Sequence, residues 1–186
     1  MTEKRNLYFI AIVPPANVCD EITSIKEDFA KRFESRRALK VIPHITLKAP
    51  FAFPAANHEL VIEWFDKMPV TVAPFHQELK DFGAFHNKKN PVIYVQPLMT
   101  PALHSLQRQV LVNFVSAHPG EGIMKLELEF SPHITVAYRD LQPRLFKEAW
   151  KQYEAEKYNA TFDVSNFHLL QHDGRMWNII STFYLK

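Results

Sequence analysis

Apolar and polar residues follow one another in the first part of the chain in a pattern that predicts a strand and then a helix. Residues 7–13 form a short apolar run that ends at Pro14 and Pro15, which is typical of a buried strand. Over residues 16–35 the apolar side chains recur every three or four positions, at Val18, Ile22, Ile25, Phe29 and Phe33. This spacing places them on one face and predicts an amphipathic helix.

The first half continues with a strand, a helix and an extended segment. Residues 41–48 are rich in β-branched side chains and bounded by proline, which favours a strand. Asn57 is a residue type that caps helices, and it precedes a helix expected to reach about residue 68. Residues 70–85 are then expected to be extended.

The second half repeats this order of elements. Residues 91–96 form a short apolar strand, and Thr100 followed by Pro101 is typical of a helix start. Apolar residues spaced by three and four positions continue that helix to Phe114. The remaining predicted elements are a strand that starts near the second half's histidine motif, a helix over 143–158, a strand over 160–170, a turn at residues 173–174 and a closing strand over 176–185.

The tetrapeptide Pro-His-Ile-Thr occurs once in each half, at residues 43–46 and 132–135. Both copies are expected to begin strands, where the missing N–H of proline is tolerated. Side chains alternate along a strand, so His44 and Thr46 share one face and the apolar neighbours share the other. A repeated tetrapeptide alone carries little weight, but two copies in matched settings indicate a shared role.

The matched order of elements indicates an internal duplication that gives two pseudosymmetric lobes. Each lobe is expected to contain a strand, a helix, a strand, a helix and a strand. Residues 1–186 are predicted to form a single domain, with one lobe over about 5–88 and the other over about 89–186. Two such lobes would bring their equivalent strands together across a cleft.

Composition narrows the class of protein. Hydrophobic residues make up 47% of the chain, enough for a real core, and the formal net charge is +2. This charge does not favour a duplex-DNA binder, although it permits a local cationic pocket. The single cysteine, Cys19, excludes an internal disulfide and fits a reducing cytosol. No apolar run suits a transmembrane helix and residues 1–6 lack a signal-peptide core, so we expect a cytoplasmic protein outside the membrane.

The repeated side chains suit phosphate chemistry. The unperturbed pKa of histidine lies near neutrality, so one of His44 and His133 can act as general base and the other as general acid. In-line displacement at phosphorus needs these groups on opposite sides. The hydroxyls of Thr46 and Thr135 can donate hydrogen bonds to a phosphate between them. The other histidines form no cluster with metal-ligand spacing, so neither a metal site nor a cofactor is expected.

With these motifs, residues 44–46 and 133–135, the chain resembles the two-histidine phosphoesterase superfamily in its 2′-5′ RNA ligase-like branch. The defining feature of that superfamily is one His-x-Thr/Ser motif in each lobe. Residues 43–51 also resemble the form common in bacterial members, and the likeness covers about residues 5–186. The resemblance implies a bilobed α+β fold in which antiparallel sheets flank a central cleft.

The resemblance also implies metal-independent hydrolysis of 2′,3′-cyclic phosphates, on RNA ends or small nucleotides, to 2′-phosphates, with weak 2′-5′ joining in some members. By motif match, Thr46 and Thr135 hold the phosphate. We take His133 as base for water and His44 as acid, which the symmetric sequence does not decide. Two alternatives stay open: a hydrolase of small cyclic nucleotides or ADP-ribose-type cyclic phosphates, and an RNA- or nucleotide-binding protein without useful turnover.

Three residues close to the motifs are candidates for ligand contact. Lys48 is in phase with His44, and Arg139 is in phase with the second histidine if that strand stays regular. The RNA ligase-like branch often has a basic residue shortly after the second motif, where Tyr138 and Arg139 stand here. Both cations could add positive potential near a phosphate, and solvated charges at strand ends are the alternative interpretation.

Other residue types near the motifs have plainer interpretations. Phe51, Phe85 and Tyr138 could stack a nucleobase, although most aromatic residues belong to the core. Cys19 lies in the first helix pattern and is interpreted as a partly buried helix residue rather than a nucleophile. Each half also contains a Phe-His pair at a roughly matched position, which we interpret as a trace of the duplication. No long apolar patch or heptad suggests an obligate dimer, so a monomer is expected.

Overall fold

The computed structural model describes residues 3–186, and its helices and strands follow the predicted order closely. The first half contains β1 (Arg5–Ile12), α1 (Ala16–Arg32), β2 (Ile45–Pro54), α2 (His58–Asp66) and β3 (Phe75–Phe85). The second half contains β4 (Val92–Pro97), α3 (Pro101–Ala117), α4 (Lys125–Leu128), β5 (Ile134–Ala137), α5 (Pro143–Tyr153), β6 (Asn159–Val164), β7 (Asn166–His172) and β8 (Trp177–Tyr184). No helix among the described residues is long and apolar enough to span a bilayer.

The strands form two four-stranded sheets in which all neighbours are antiparallel. The first sheet has the order β2-β1-β7-β8, and the second has the order β5-β4-β3-β6. The two orders correspond strand for strand, so the motif-bearing strands β2 and β5 occupy the same edge position in their sheets. This correspondence agrees with the duplication inferred from the sequence, and the α+β class with antiparallel sheets is confirmed.

The two sheets do not divide the chain at the boundary between the halves predicted over 5–88 and 89–186. β3 comes from the first half but pairs with β4 and β6 in the second sheet. β7 and β8 come from the second half and complete the first sheet. The reason is that β1 and β4 each have an edge left open by their own half, and a strand from the other half fills it. The hydrophobic pattern identifies strands, but it does not identify their partners.

The chain passes from one sheet to the other at Ser165. The single strand predicted over 160–170 is therefore two strands, β6 in the second sheet and β7 in the first. Ser165 takes part in neither ladder, and its carbonyl accepts a hydrogen bond of 2.9 Å from the Leu185 N–H. The contact closes the end of the hairpin formed by β7 and β8, whose predicted turn is present, with Gly174 at φ 100°.

Local signals at the helix ends are confirmed in part. Thr100 Oγ1 accepts a 3.1 Å hydrogen bond from the Leu103 N–H, and Pro101 opens α3 as predicted. Asn57 makes no side-chain capping bond, because it ends a short 3₁₀ turn that leads into α2. α1 is shorter than predicted, since the chain has left the helical region by Glu34, with φ 58°.

One hydrophobic core joins both sheets and the longer helices. α1 packs against β5 of the second sheet, and α3 packs in the corresponding way against β2 of the first. Fully buried aromatic side chains fill the space between them, among them Phe29, Phe65, Phe114 and Phe167. Because each of these two helices contacts the motif strand of the other half, the core fixes the two motifs relative to each other.

Candidate active site

Both motif histidines lie immediately before a strand. The sequence predicted that His44 and His133 lie inside strands. In the structure β2 begins at Ile45 and β5 at Ile134, so each histidine ends the connecting segment before its strand. The proline before each histidine cannot donate a hydrogen bond to a neighbouring strand, which explains the late start. The threonines lie one residue inside their strands.

The two imidazole rings are anchored in the same way. Nδ1 of His44 lies 2.7 Å from the carbonyl oxygen of Ile42, and Nδ1 of His133 lies 2.8 Å from that of Ser131. A carbonyl oxygen can only accept a hydrogen bond, so Nδ1–H donates in each ring. In the neutral imidazole this leaves Nε2 without a proton and available for proton transfer.

Two adjoining cavities connect the motifs. The larger, of about 410 Å³, is lined by residues of both sheets and of α1, including His44, Thr46, Thr135, Tyr138 and Arg139. The smaller, of about 280 Å³, is lined by His133 and shares Thr46 and Pro50 with the larger one. Together they are called the cleft below. The structure thus brings the four motif side chains and two of the three predicted contact residues to one cleft.

Burial favours the neutral form of both histidines. It lowers the pKa of His44 to about 4, helped by the nearby charges of Lys26 and His133 and opposed by the hydrogen bond to Ile42. Burial also lowers the pKa of His133, against the effect of its hydrogen bond to Ser131. Either ring can therefore accept a proton at neutral pH, whereas a protonated ring requires a negative charge beside it.

Aromatic side chains pack beside both histidines. The ring centroid of His44 lies 4.8 Å from that of Phe9, and the ring centroid of His133 lies 5.6 Å from that of Tyr94. Tyr94 stands opposite Gly83 in the sheet, and a Cβ at Gly83 would lie only 2.4 Å from the Tyr94 ring. A larger residue at position 83 would therefore require the Tyr94 ring, which packs beside His133, to move.

Lys48 does not line the cleft, so the expectation that it adds charge near a phosphate is corrected. Its side chain is 3% exposed, and its Nζ donates to Oε1 of Glu127 at 2.9 Å. The same carboxylate accepts hydrogen bonds from the backbone N–H groups of Ala49 at 2.8 Å and Met124 at 2.7 Å. A register shift against β1 between Thr46 and Lys48 breaks the alternation that the prediction assumed.

Tyr138 and Arg139 do line the cleft, just after β5 ends. The strand does not continue regularly, because Arg139 takes φ 58°, and its guanidinium carbon lies 5.2 Å from the centre of the Tyr138 ring. The next residue holds this turn, since the Asp140 carboxylate accepts the backbone N–H groups of Arg36 and Arg37 at 2.8 Å and 2.9 Å. The turn directs both side chains to the cleft.

Four residues with aromatic or basic side chains line the larger cavity and were not proposed as site residues from the sequence. Phe9, His172 and Trp177 form an aromatic wall, with the Trp177 ring centroid 4.5 Å from that of Phe9 and 5.0 Å from that of His172. The wall joins strands from the two ends of the chain, so no local pattern could reveal it. The fourth, Lys26, did leave a signal, because it lies on the apolar face of the first helix pattern.

The structure places the remaining candidates, Phe51, Phe85 and Cys19, in different environments. Phe51 is 5% exposed and belongs to the core, so its proposed stacking with a nucleobase is corrected. Phe85 lies beside the site, with its ring centroid 5.1 Å from that of His133. Cys19 is buried and its Sγ donates to the Pro14 carbonyl oxygen at 3.2 Å, while burial raises the pKa of the thiol to about 11. The interpretation of Cys19 as a buried helix residue is confirmed.

The two Phe-His pairs lie at the starts of the exchanged strands β3 and β7. His76 Nδ1 lies 3.0 Å from Asp163 across the β3–β6 pair, and His168 Nδ1 lies 3.0 Å from Thr182 across the β7–β8 pair. Their matching positions agree with a duplication.

Within residues 3–186, no group of three or more histidine, cysteine, aspartate or glutamate side chains is arranged to hold a metal ion.

Comparison with known sequences gives a consistent group of relatives. The sequence profile of the 2′-5′ RNA ligase superfamily matches residues 14–175. A Geobacillus kaustophilus protein, named provisionally as a phosphoesterase, is 29% identical over 177 residues, which cover 95% of this chain and 94% of the relative.

Comparison with solved structures shows the fold. E. coli LigT superposes with a TM-score of 0.67 at 17% identity, over 98% of this chain and 99% of LigT. The protein TT0787 of Thermus thermophilus gives a TM-score of 0.66 at 18% identity, over 96% and 97% of the two chains. LigT has also been crystallised with 3′-AMP, NADP+ and ATP. At these identities the likeness shows a shared fold.

Proposed function

The chain belongs to the 2′-5′ RNA ligase superfamily, and we propose that it is a phosphoesterase that hydrolyses 2′,3′-cyclic phosphates, on RNA ends or nucleotides, to 2′-phosphates. One observation carries this proposal: two imidazoles are anchored by the same Nδ1–H bond to a carbonyl two residues earlier, at one cleft. Each leaves Nε2 for proton transfer. A pair of this kind can act on the two sides of a phosphorus atom.

The proposed reaction uses the two histidines in different roles. Nε2 of His133 takes a proton from a water molecule as its oxygen attacks phosphorus. The bond from phosphorus to the 3′-oxygen breaks, and His44 gives its proton to that oxygen. The product carries a 2′-phosphate and a free 3′-hydroxyl, and the proton taken by His133 leaves with solvent exchange. If a 5′-hydroxyl replaces water as the attacking group, the same proton transfers break the bond to the 3′-oxygen and leave a 2′-5′ linkage, as a 2′-5′ ligase requires.

The electrostatics of the cleft indicate that a bound substrate helps His44 to act as the acid. Burial and the charge of Lys26 keep His44 neutral until a ligand binds. A phosphodiester carries a negative charge, and this charge would raise the pKa of His44 so that the ring can act as the acid. The acid role thus depends on bound phosphate, and activity should decline at alkaline pH when His44 can no longer be protonated.

The hydroxyls and the guanidinium have positioning roles in the proposal. Thr46 and Thr135 line the same cavity from opposite halves of the chain, where their O–H groups can donate to the non-bridging phosphate oxygens. Arg139 adds a permanent positive charge and two parallel N–H donors suited to phosphate. Tyr138 packs beside that guanidinium and limits its movement.

The test is turnover of a 2′,3′-cyclic nucleotide in EDTA, with the product identified as the 2′- or 3′-phosphate. The wild type should yield the 2′-phosphate, and His44→Ala and His133→Ala should each lower kcat/KM by ~100-fold or more. His76→Ala is the matched control, since His76 lies on the β3–β6 pair and is 60% exposed. Activity that survives both motif substitutions would disprove the mechanism.

The size of the cleft supports keeping a second substrate class in the test. The larger cavity, of about 410 Å³, lies within the range of sites for small molecules. Small cyclic nucleotides and ADP-ribose-type cyclic phosphates should therefore be assayed beside a cyclic-phosphate oligonucleotide. A higher kcat/KM for the mononucleotide would favour this alternative. Binding that persists in both histidine variants, with no product from any substrate, would indicate a binding protein.

A further inference from the structure

Lys26 is a buried cation on the wall of the cleft. It belongs to α1, its side chain is 2% exposed, and it lines the larger cavity together with His44. Its Nζ donates to the carbonyl oxygen of Val41 at 2.8 Å, the only acceptor that Nζ has among residues 3–186. An ammonium has three N–H donors, so two remain for a partner in the cleft.

The charge of Lys26 also lacks a partner, and burial lowers the pKa of its ammonium to about 8. No carboxylate lines the larger cavity, and Lys26 takes part in no ion pair within residues 3–186. Lysine is almost never buried without a compensating charge. Lys48 obeys this rule, because Glu127 neutralises it in an ion pair whose two side chains are both buried. Lys26 departs from it at the place where a ligand would bind.

We propose that Lys26 binds an anionic oxygen of a phosphate in the cleft and, with Arg139, makes the site select phosphate in its doubly charged form. The identity of the natural ligand rests on the proposed function, whereas the binding of phosphate does not. A cyclic phosphodiester carries one negative charge, but attack by water creates a second one that the 2′-phosphate product retains. Arg139 and a protonated Lys26 match the charge that develops during the reaction, and a bound phosphate would favour the protonated form of Lys26.

A purely structural role is the competing explanation. The bond from Nζ to Val41 ties α1 to the segment that leads to His44, and the neighbouring Ile42 carbonyl anchors the His44 ring. If this were the whole role, replacing Lys26 would alter stability and leave phosphate affinity unchanged. The two roles therefore differ in a measurement that does not depend on catalysis.

The experiment measures binding of inorganic phosphate by calorimetry at about pH 7.5, where phosphate is mainly a dianion. Lys26 is still mainly protonated there, since burial lowers its pKa only to about 8. Lys26→Met and Lys26→Gln should each weaken the affinity by ~10-fold or more, because a charge-assisted hydrogen bond is lost. Lys31→Met, at an exposed position of the same helix, should bind as the wild type does. Dimethyl phosphate, which has a single charge, should bind the wild type more weakly than inorganic phosphate.

A measurement on the wild type guards against variants that fold poorly. The ¹³C resonance of Lys26 Cε should shift as phosphate is added and saturate at the calorimetric Kd. An unshifted resonance, unchanged affinity in a folded Lys26 variant, or failure of the wild type to bind phosphate would overturn the inference.

The outcome also separates this inference from the proposed function. If phosphate binds through Lys26 but no cyclic phosphate is hydrolysed, the inference stands and the proposed function falls. If the wild type hydrolyses cyclic phosphates while Lys26→Gln leaves phosphate affinity, kcat and KM unchanged, the proposed function stands and the inference falls.

Discussion

The two copies of the repeated motif are each followed by a basic residue, and the two cations end in opposite environments. Lys48 is enclosed in the protein and paired with Glu127, whereas Arg139 lines the cleft and stacks on Tyr138. The first cation serves the architecture and the second is available to a ligand. A shared origin for the two halves has therefore not preserved the role of this charge.

The strands that carry the motifs explain the difference. β2 continues well past its histidine to Pro54, and an extra residue between Thr46 and Lys48 shifts the register with β1. The Lys48 side chain consequently points to the segment that carries Glu127. β5 ends after four residues, and the positive φ of Arg139 turns the chain before any sheet can enclose the side chain. Strand length and register, rather than the motif itself, decide where the charge lies.

The largest expected effect tests the structural role of the buried pair formed by Lys48 and Glu127. Glu127→Ala removes the partner of a buried lysine and the acceptor of two backbone N–H groups, so it should destabilise the protein by about 3–5 kcal/mol. Glu129→Ala is the control, because its pair with Lys125 is exposed and should contribute at most ~1 kcal/mol. Chemical unfolding measures both, and equal losses would contradict the structural role of Glu127.

The next largest effect tests the role of Arg139 in the cleft. Arg139→Met should lower kcat/KM for a 2′,3′-cyclic nucleotide by roughly 10- to 100-fold, since a hydrogen bond to a charged group is lost. Its thermal stability should change little, because the side chain packs only at the surface of the cleft. Arg144→Met, at an exposed position at the start of α5, supplies the control. A large loss of stability with unchanged turnover would reverse the contrast with Lys48.

A smaller effect is expected behind the second histidine. A Cβ on Gly83 would displace the Tyr94 ring, which packs beside His133, so Gly83→Ala should cost about 1–2 kcal/mol of stability and reduce turnover. Adding Tyr94→Leu should restore part of the stability by removing the clash. Gly120→Ala should be neutral, because nothing lies within 4 Å of its Cβ position. If Gly83→Ala changed neither stability nor turnover, the Tyr94 ring would be free to move.

The mildest effect concerns the pH dependence of stability. The pKa of His44 falls from 6.5 to about 4 on folding, so between these values the unfolded chain binds a proton that the folded protein does not. The free energy of unfolding should therefore fall as the pH drops through this window. The melting temperature of His44→Gln should fall less than that of the wild type between about pH 7 and pH 5. Parallel curves would show that His44 is not shielded from water.

Local features were predictable and long-range ones were not. The helix start at Thr100 depends on residues next to it, and the anchoring of the motifs depends on a short segment that the repeat itself revealed. The sequence placed Lys48 at the cleft by regular strand alternation. Its partner, Glu127, lies far away in the sequence, and the sequence does not show the register shift that changes the direction of the Lys48 side chain. The exchanged strands escaped prediction for the same reason, since alternation shows which face is buried but not which neighbour covers it.

The exchange of strands makes the cleft depend on the synthesis of β7 and β8. β1 and β2 leave the ribosome early, but β1 lacks its second neighbour until β7 has been made near the far end of the chain. His172 and Trp177, which form part of the cleft wall, belong to that same late segment. A nascent chain can thus hold both histidine motifs and still lack this wall of the cleft, so a chain that stops before β7 would have an incomplete pocket.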